Sequence, residues 1–265
     1  MKLSNNIIIV ERGNKKNLPV IFVHGFPYDH WMWHNQQKYL ENEFFCISYD
    51  IRGLGESPAG NGQFTMETLA DDLFFIIQEM KLEKPVICGL SMGGYLCLRA
   101  VEMEQSKFSG LILCDTKAFA DDNAAKLKRS NGIKQIDTEG IEKFCADTIP
   151  NTFADVTLIE NRKVYEEIMN RSKKSDPTGV KGCILAMLSR TDTTPFLEKI
   201  EIPTLLICGA DDKLTPPPVM QEMHKKIKGS EFVVVPKAGH MTPVENPGLV
   251  SKEIERFLKR RINIS

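Results

Sequence analysis

The chain has 265 residues, 42% of them hydrophobic and 26% charged, and its 34 basic and 35 acidic side chains give a formal net charge of −1. This composition is typical of a globular chain with one or two domains. The balanced charge excludes nucleic-acid binding through a large excess of positive charge, and no apolar run approaches the roughly 18 residues of a membrane-spanning helix. We therefore expect neither nucleic acid nor a membrane as a partner.

The cysteine pattern indicates a reducing compartment. The chain has 7 cysteines, an odd number, and no two of them have CxxC spacing. Cys88, Cys114 and Cys208 lie inside apolar runs, where a free thiol behaves as a small hydrophobic side chain. Because free thiols persist where the environment is reducing, we expect a cytoplasmic protein without a disulfide framework.

Short β-branched runs alternate with segments of helical periodicity along most of the chain. This alternation predicts an α/β fold around a mostly parallel sheet. Continuous apolar runs such as residues 20–23 suit strands that are covered on both faces. The predicted strands are an edge strand near residues 6–10, followed by residues 19–23, 44–49, 85–89, 110–114, 203–208 and 231–235.

Two helices are predicted from clear start and stop signals. Between residues 65 and 80 apolar side chains recur at helical spacing, and Glu67 lies in the first turn, where the helix dipole favours an acidic residue. Near the C-terminus Asn246 is suited to cap a helix that begins at Pro247. The basic residues 259–261 complement the last turn of that helix.

Residues 117–193 break the alternation because they contain no convincing strand. Their polar and charged patterns have helical periodicity, interrupted by glycine and proline. A stretch of roughly 75 residues far exceeds an ordinary connection between two strands. We therefore predict an insertion with helices of its own.

The strongest local motif is Gly89-Leu90-Ser91-Met92-Gly93, which is followed by Gly94. It comes directly after a predicted strand and precedes a helical stretch. A serine on such a sharp strand-to-helix turn is held in a strained backbone conformation that exposes its hydroxyl. The motif predicts Ser91 as a nucleophile; the alternative is a glycine-rich turn that contains an incidental serine.

A serine hydroxyl is a weak nucleophile, so it needs a base that a third group orients. Asp211 and Asp212 follow the predicted strand 203–208, and His240 follows the strand 231–235, in the order serine, acid, histidine. Side chains at the carboxyl ends of parallel strands meet where open α/β sheets place their sites. We predict His240 as the base rather than a solvated loop histidine, and this reasoning leaves Asp211 and Asp212 as alternatives for the acid.

A possible oxyanion-binding loop follows the predicted strand 19–23. Its sequence is His24-Gly25-Phe26-Pro27, and Gly25 allows the backbone to bend so that the Phe26 N–H points toward the site. Together with the Met92 N–H it would bind the oxyanion of a tetrahedral intermediate. The alternative is a tight loop that only packs.

These motifs jointly resemble those of the α/β-hydrolase superfamily of serine hydrolases, over nearly the whole chain. The run from Cys88 to Gly94 is most similar to the branch of 3-oxoadipate enol-lactonases and carboxylesterases. The matching motifs are His24-Gly25, Asp50-x-Arg52-Gly53-x-Gly55-x-Ser57, Gly89-x-Ser91-x-Gly93-Gly94, Gly209-x-x-Asp212 and Gly239-His240.

The resemblance implies an architecture. A mostly parallel central sheet of about seven or eight strands is flanked by helices, and a helical cap is inserted after the sixth strand. Residues 1–116 and 194–265 then form the α/β-hydrolase core domain. Residues 117–193 form the cap, or lid, over the pocket.

The resemblance also implies roles for individual residues. Ser91 resembles the nucleophile, His240 the base and Asp212 the acid. Phe26 and Met92 resemble the two oxyanion-hole donors. The spacing of the family motifs favours Asp212 over Asp211 as the acid. Asp115, directly after the predicted strand 110–114, is a third candidate, because some members of the family carry their acid at that place.

The predicted function is that of a serine carboxylesterase with a Ser-His-Asp triad and an acyl-enzyme on Ser91. The first alternative is a lactone hydrolase of the enol-lactonase type, and the second is a ligand-binding receptor on a hydrolase scaffold. The same residues would also serve a perhydrolase or an acyl transferase. A small ester or lactone is the expected substrate, and the oligomeric state is left open.

We expect no cofactor and no metal ion. His30 and His34 are four residues apart, but no glutamate completes an H-E-x-x-H motif. A lactone with a free carboxylate would need a cation in the pocket, for which Arg52, Lys117 and Arg129 are candidates. A neutral ester would suit an apolar lining, which the segment 117–193 offers in Phe144, Phe153, Met187 and Leu188.

Overall fold

A seven-stranded sheet forms the centre of the computed structural model, which describes residues 1–262. In chain order its strands are β1 (Ile9–Arg12), β2 (Pro19–Val23), β3 (Phe45–Tyr49), β4 (Val86–Leu90), β5 (Gly110–Cys114), β6 (Thr204–Gly209) and β7 (Glu231–Val235). Their spatial order is β1-β3-β2-β4-β5-β6-β7, and only the β1–β3 pair is antiparallel among the described strands. The predicted α/β fold with a mostly parallel sheet is confirmed.

Helices flank the sheet and connect its strands. The α-helices within residues 1–262 are α1 (His34–Leu40), α2 (Met66–Glu79), α3 (Met92–Glu104), α4 (Asn123–Glu139), α5 (Ile141–Thr148), α6 (Asp155–Glu160), α7 (Arg162–Ser172), α8 (Pro177–Ser189), α9 (Pro217–Lys226), α10 (Thr242–Glu245) and α11 (Pro247–Arg261). Four 3-10 helices cover His30–Trp33, Gln105–Lys107, Ile149–Thr152 and Thr194–Lys199. None of the helices described is both long and apolar enough to cross a bilayer.

The long helical segment between β5 and β6 contains α4 to α8. It follows the fifth strand, so its expected position after the sixth strand is wrong. The position after the sixth strand was implied by the family resemblance, whereas the strands predicted from the sequence before residue 117 number five, as observed. Residues 1–8 contribute an isolated bridge between Lys2 and Ile8, and Asn6 between them has φ 69°.

The first strand lies slightly later in the chain than its hydrophobic pattern predicts. Residues 6–10 are the apolar run, but the ladder with β3 covers Ile9–Arg12. Edge strands need only one buried face, so pairing can extend into the polar residues Glu11 and Arg12 beyond the apolar run. Hydrophobicity therefore marks the buried part of this strand rather than its hydrogen-bonded part.

The central strands account for the continuous apolar runs of the sequence. Every residue of β3, β4, β5 and β6 is buried, whereas β7 at the far edge is half-exposed. Helices cover both faces of a parallel sheet, so its strands lose the usual alternation of apolar and polar residues. All seven cysteines are free and buried within this packing.

Two helices start at the predicted residues for identifiable reasons. The Thr65 hydroxyl accepts a hydrogen bond from the Thr68 N–H and caps α2. The Asn246 side chain does the same for the Leu249 N–H at the start of α11. Each cap satisfies an N–H group that the helix itself leaves without a partner.

Candidate active site

Ser91 lies on the sharp turn between β4 and α3, with φ 53° and ψ −113°. A residue other than glycine rarely adopts a positive φ, so surrounding contacts must hold it there. The Ser91 N–H donates to the Cys114 carbonyl at 3.0 Å, and the Ser91 carbonyl accepts from Thr116 Oγ1 at 2.8 Å. A Cβ atom at Gly93 would overlap the Val23 carbonyl oxygen, which explains why the motif needs glycine there.

The side chains of Ser91, His240 and Asp212 form a continuous series of hydrogen bonds. His240 Nε2 lies 2.8 Å from Ser91 Oγ, and His240 Nδ1 lies 2.8 Å from Asp212 Oδ2. Asp212 follows β6 and His240 follows β7, so the carboxyl ends of two strands bring both to the serine turn. The structure thus joins three residues that the sequence analysis proposed for one site.

The Asp212 carboxylate is held by its own loop as well as by His240. Its Oδ1 accepts from the N–H groups of Leu214 at 2.8 Å and Thr215 at 3.0 Å, and its Oδ2 accepts from Thr215 Oγ1 at 2.6 Å. Burial opposes ionisation, but His240 and these donors outweigh it and lower the pKa of Asp212. Thr215 was not predicted, although an aspartate side chain often accepts a hydrogen bond from the backbone N–H two residues on, as Asp212 does from Leu214.

The other two candidate acids lie in different surroundings. Asp211 is exposed and makes no hydrogen bond with His240. Asp115 is buried, and its carboxylate accepts from the Gly209 N–H at 2.8 Å and the Thr242 N–H at 3.2 Å. Burial and the negative charge of Asp212 raise the pKa of Asp115 to about 7. Asp115 therefore connects β6 with α10 instead of contacting the imidazole.

The His240 ring is oriented with Nδ1 toward Asp212 and Nε2 toward Ser91. When Nδ1–H donates to Asp212, the lone pair of Nε2 is available to accept the Ser91 proton. Burial disfavours the imidazolium, but the Asp212 carboxylate outweighs burial and raises the pKa of His240. The arrangement is suited to proton transfer from Ser91 Oγ to Nε2.

A partly buried carboxylate, that of Glu245, holds the loop that carries His240. It accepts from the N–H groups of Gly239 at 2.8 Å and Met241 at 3.1 Å. It also accepts from the Ala154 N–H at 2.8 Å, within the long helical segment. Glu245 belongs to none of the quoted motifs, and the only signal in the sequence was its position five residues after His240.

The loop after β2 packs against the serine turn. A Cβ atom at Gly25 would lie 2.7 Å from Leu90 Cδ2 and 3.4 Å from Ser91 Cβ, so this approach requires glycine. The Phe26 N–H donates no hydrogen bond to any group in residues 1–262. Met92 is the first residue of α3, where the helix leaves N–H groups without a partner. Neither amide therefore has a hydrogen-bond partner within residues 1–262.

Ser91 and His240 border a cavity of about 420 Å³. Its lining combines residues of the sheet loops with residues of the long helical segment, among them Phe26, Phe144 and Met187. Phe26 and Phe144 meet edge to face with ring centroids 6.1 Å apart. The cavity that Ser91 and His240 border therefore has both polar and apolar lining residues.

A comparison with known families identifies the fold. The family model described as alpha/beta hydrolase fold matches residues 19–247 of this chain. The chain belongs to this family. The matched range includes all five predicted site residues of this α/β hydrolase.

Individual relatives of this α/β hydrolase include enzymes of known structure or name. The structure of a malate-bound thermophilic esterase from Thermogutta terrifontis is 36% identical, with a TM-score of 0.93 over 97% of this chain and 94% of that chain. The AB hydrolase superfamily protein YisY of Bacillus subtilis is 30% identical over 90% of this chain and 91% of its own length. The 3-oxoadipate enol-lactonase 2 of Acinetobacter baylyi is 25% identical over 86% and 84%. The resemblance to the enol-lactonase and esterase branch is confirmed.

Within residues 1–262 of this α/β hydrolase, two clusters have side chains of the types that bind metals: Asp29, His30 and Asp50, and Asp115, Cys208 and Asp212. In the first cluster His30 Nδ1 lies 2.7 Å from Asp50 Oδ1, and Asp29 Oδ2 accepts from Arg171 Nε at 2.8 Å. The carboxylates of both clusters already accept hydrogen bonds from protein donors. Each cluster is therefore explained as a polar network within the fold.

Proposed function

We propose that this α/β hydrolase cleaves carboxylic esters through an acyl-enzyme on Ser91. The observation that carries the proposal is the series of hydrogen bonds from Asp212 through His240 to Ser91 Oγ, at the wall of a cavity of about 420 Å³. Similarity to the esterase from Thermogutta terrifontis supports an ester as the substrate.

The proposed reaction begins when Ser91 Oγ attacks the ester carbonyl while His240 Nε2 takes its proton. Asp212 holds the imidazole by Nδ1–H and stabilises the imidazolium. The N–H groups of Phe26 and Met92 bind the oxyanion of the tetrahedral intermediate. His240 returns its proton to the alcohol, which leaves. Water then loses a proton to His240 and attacks the acyl carbon. The bond from that carbon to Ser91 Oγ breaks, His240 gives its proton to Oγ, and the acid is released.

We further propose that residues 117–193 form a cap over the pocket and that residues 1–116 and 194–265 form the core. Two hydrogen bonds support this proposal, because they attach the proposed cap to the loop that carries His240. The His240 N–H donates to the Thr152 carbonyl at 2.9 Å, and Glu245 binds Ala154. A cap attached in this way contributes pocket residues without separating from the catalytic loop.

Lactone hydrolysis is the second candidate, because a relative 25% identical to this chain is named 3-oxoadipate enol-lactonase 2. The chemistry is the same for a cyclic ester, except that the leaving alcohol stays attached to the acyl group. A panel of p-nitrophenyl esters of increasing chain length, assayed beside lactones, separates the two substrate classes.

A fluorophosphonate probe should label Ser91, because the probe reacts with serines that a neighbouring base activates. Mass spectrometry of the digested protein would identify the modified residue, and the ester panel would show turnover in the same preparation. Absence of both the adduct and turnover would contradict the proposal and favour a ligand-binding receptor on this scaffold.

The pH profile of kcat/KM should have an acidic limb above the ordinary histidine pKa of about 6.5. The reason is that His240 must be neutral to accept the Ser91 proton, and Asp212 raises the pKa of His240 despite burial. Activity is therefore lost as the pH falls through that raised pKa. Steady-state rates across pH would test this, and a limb below about 6.5 would contradict it.

A further inference from the structure

Three cationic side chains surround one carboxylate at the side of the cavity next to α3. Lys117 Nζ lies 3.3 Å from Asp121 Oδ1, Arg190 donates to the same oxygen at 2.9 Å, and Arg129 Nε pairs with Asp121 Oδ2. Lys117, Asp121 and Arg129 line the same cavity as Ser91. Arg190 lies behind them, with its guanidinium 4.2 Å from the centroid of the Tyr95 ring.

The charges of this cluster do not cancel. Within residues 1–262 all three cations form their salt bridges with Asp121 and with no other acidic side chain, so two positive charges are left over. The side chains of Asp121 and Arg190 are 0% and 3% exposed, and that of Lys117 is only 16% exposed. Buried charges are normally paired, because water cannot compensate them there.

Two further features show the excess of positive charge. Arg190 Nε is buried and has no hydrogen-bond partner within the described chain. Burial lowers the pKa of Lys117; Asp121 opposes that shift, and Arg190 and Arg129 add to it. The cluster would therefore be stabilised by one more anion.

The other charged side chains that line the cavity do not supply that anion. Asp147 is the second acid in the lining, and it already accepts from Lys143 Nζ at 2.6 Å and from Gln135 Nε2 at 2.7 Å. Lys128 also lines the cavity and adds a further positive charge. A negatively charged ligand is the group that fits.

We propose that Lys117 and Arg129 bind a carboxylate carried by the substrate, so that the preferred ester or lactone is an anion. This inference rests on the proposed hydrolysis at Ser91 and adds the substrate class. Tyr95 lies between Ser91 and the cationic cluster around Asp121. It is one helical turn after Ser91 on α3, it lines the cavity, and its ring lies against the Arg190 guanidinium. Arg190 holds Asp121 in position rather than reaching the substrate itself.

The test compares anionic esters with neutral partners of the same shape. Mono-p-nitrophenyl glutarate and its methyl ester place the carboxylate in the acyl part. Para-acetoxybenzoate and its methyl ester place it in the leaving alcohol. The wild-type protein should prefer the anionic member of one pair by about tenfold or more in kcat/KM, and the pair identifies the part of the substrate that the cations bind.

Variants connect that preference to the cluster. Lys117→Met and Arg129→Met should each lower the anionic-to-neutral ratio of kcat/KM by about tenfold, and Lys117→Arg should retain it. Lys126→Met is the matched control, because Lys126 is an exposed cation on α4 that does not line the cavity. Thermal melting of every variant separates a loss of selectivity from a loss of folding.

Glutarate provides a readout that does not depend on turnover. Calorimetric titration should give a Kd that Lys117→Met weakens and Lys126→Met leaves unchanged. If esters are hydrolysed with no preference in either pair and glutarate binding does not depend on Lys117, the carboxylate site is refuted and the hydrolase proposal stands. If glutarate binding depends on Lys117 but no ester is cleaved, the carboxylate site stands and the proposed function fails.

Discussion

Replacing Ser91 with alanine should lower kcat/KM for p-nitrophenyl esters by a factor of about 10³ to 10⁶. The substitution removes Ser91 Oγ, which lies 2.8 Å from His240 Nε2, so no acyl-enzyme can form. Residual turnover would come from water held beside the free amides of Phe26 and Met92. Steady-state hydrolysis, with thermal melting to verify the fold, measures the effect.

Ser106→Ala is a suitable control, since Ser106 is exposed on the 3-10 helix that follows α3. It should leave both the rate and the fluorophosphonate adduct unchanged. A Ser91→Ala protein that keeps more than about a tenth of the wild-type kcat/KM would refute the acyl-enzyme on Ser91. In that case His240 would have to activate water directly.

The strands and the serine turn could be predicted from the sequence because their signals are local. An apolar run that is buried on both faces is visible in the residues themselves, as for Gly110–Cys114, whose predicted bounds match the structure. The predicted bounds of the half-exposed edge strand Glu231–Val235 match as well. The turn at Ser91 likewise depends on residues within two positions of it. Positive φ and close approach leave a glycine signature that can be read without coordinates.

The partners of the site residues could not be predicted, because they come from distant parts of the chain. Glu245 accepts from Ala154 across 91 positions, and Arg190 pairs with Asp121 across 69 positions. No periodicity records such contacts. The strands before the helical segment were correctly counted from their hydrophobic runs, and only the position after a sixth strand, which the family resemblance implied, differs from the structure.

The sequence could not show which of the three candidate cations, Arg52, Lys117 and Arg129, lines the cavity. Arg52 forms a bidentate pair with Asp72 of α2, at 2.8 Å and 2.5 Å, and does not line the cavity. Lys117 and Arg129 do line it. All three are equally plausible by residue type, and only the three-dimensional arrangement of the chain distinguishes them.

Replacing Asp212, the aspartate that contacts His240, should have the second large effect on activity. Asp212→Asn should lower kcat by about 10² to 10⁴ with little change in KM. The amide NH₂ of asparagine would donate to His240 Nδ1, so the imidazole would carry its proton on Nε2. Nε2 faces Ser91, and in this tautomer it cannot accept the proton of the serine hydroxyl. The acidic limb of the pH profile should also move down, because burial would then act on His240 without the opposing carboxylate.

The neighbouring residue provides a control that differs by one position. Asp211→Asn should change kcat by less than about twofold, since Asp211 is exposed and has no contact with the imidazole. Asp115→Asn should cost stability more than rate, because its carboxylate connects Gly209 with Thr242 and a pKa of about 7 leaves it partly neutral. Rates measured at equal folded fraction separate these effects. If Asp115→Asn lowered kcat as much as Asp212→Asn does, the assignment of Asp212 as the acid that fixes the tautomer of the His240 imidazole would be contradicted.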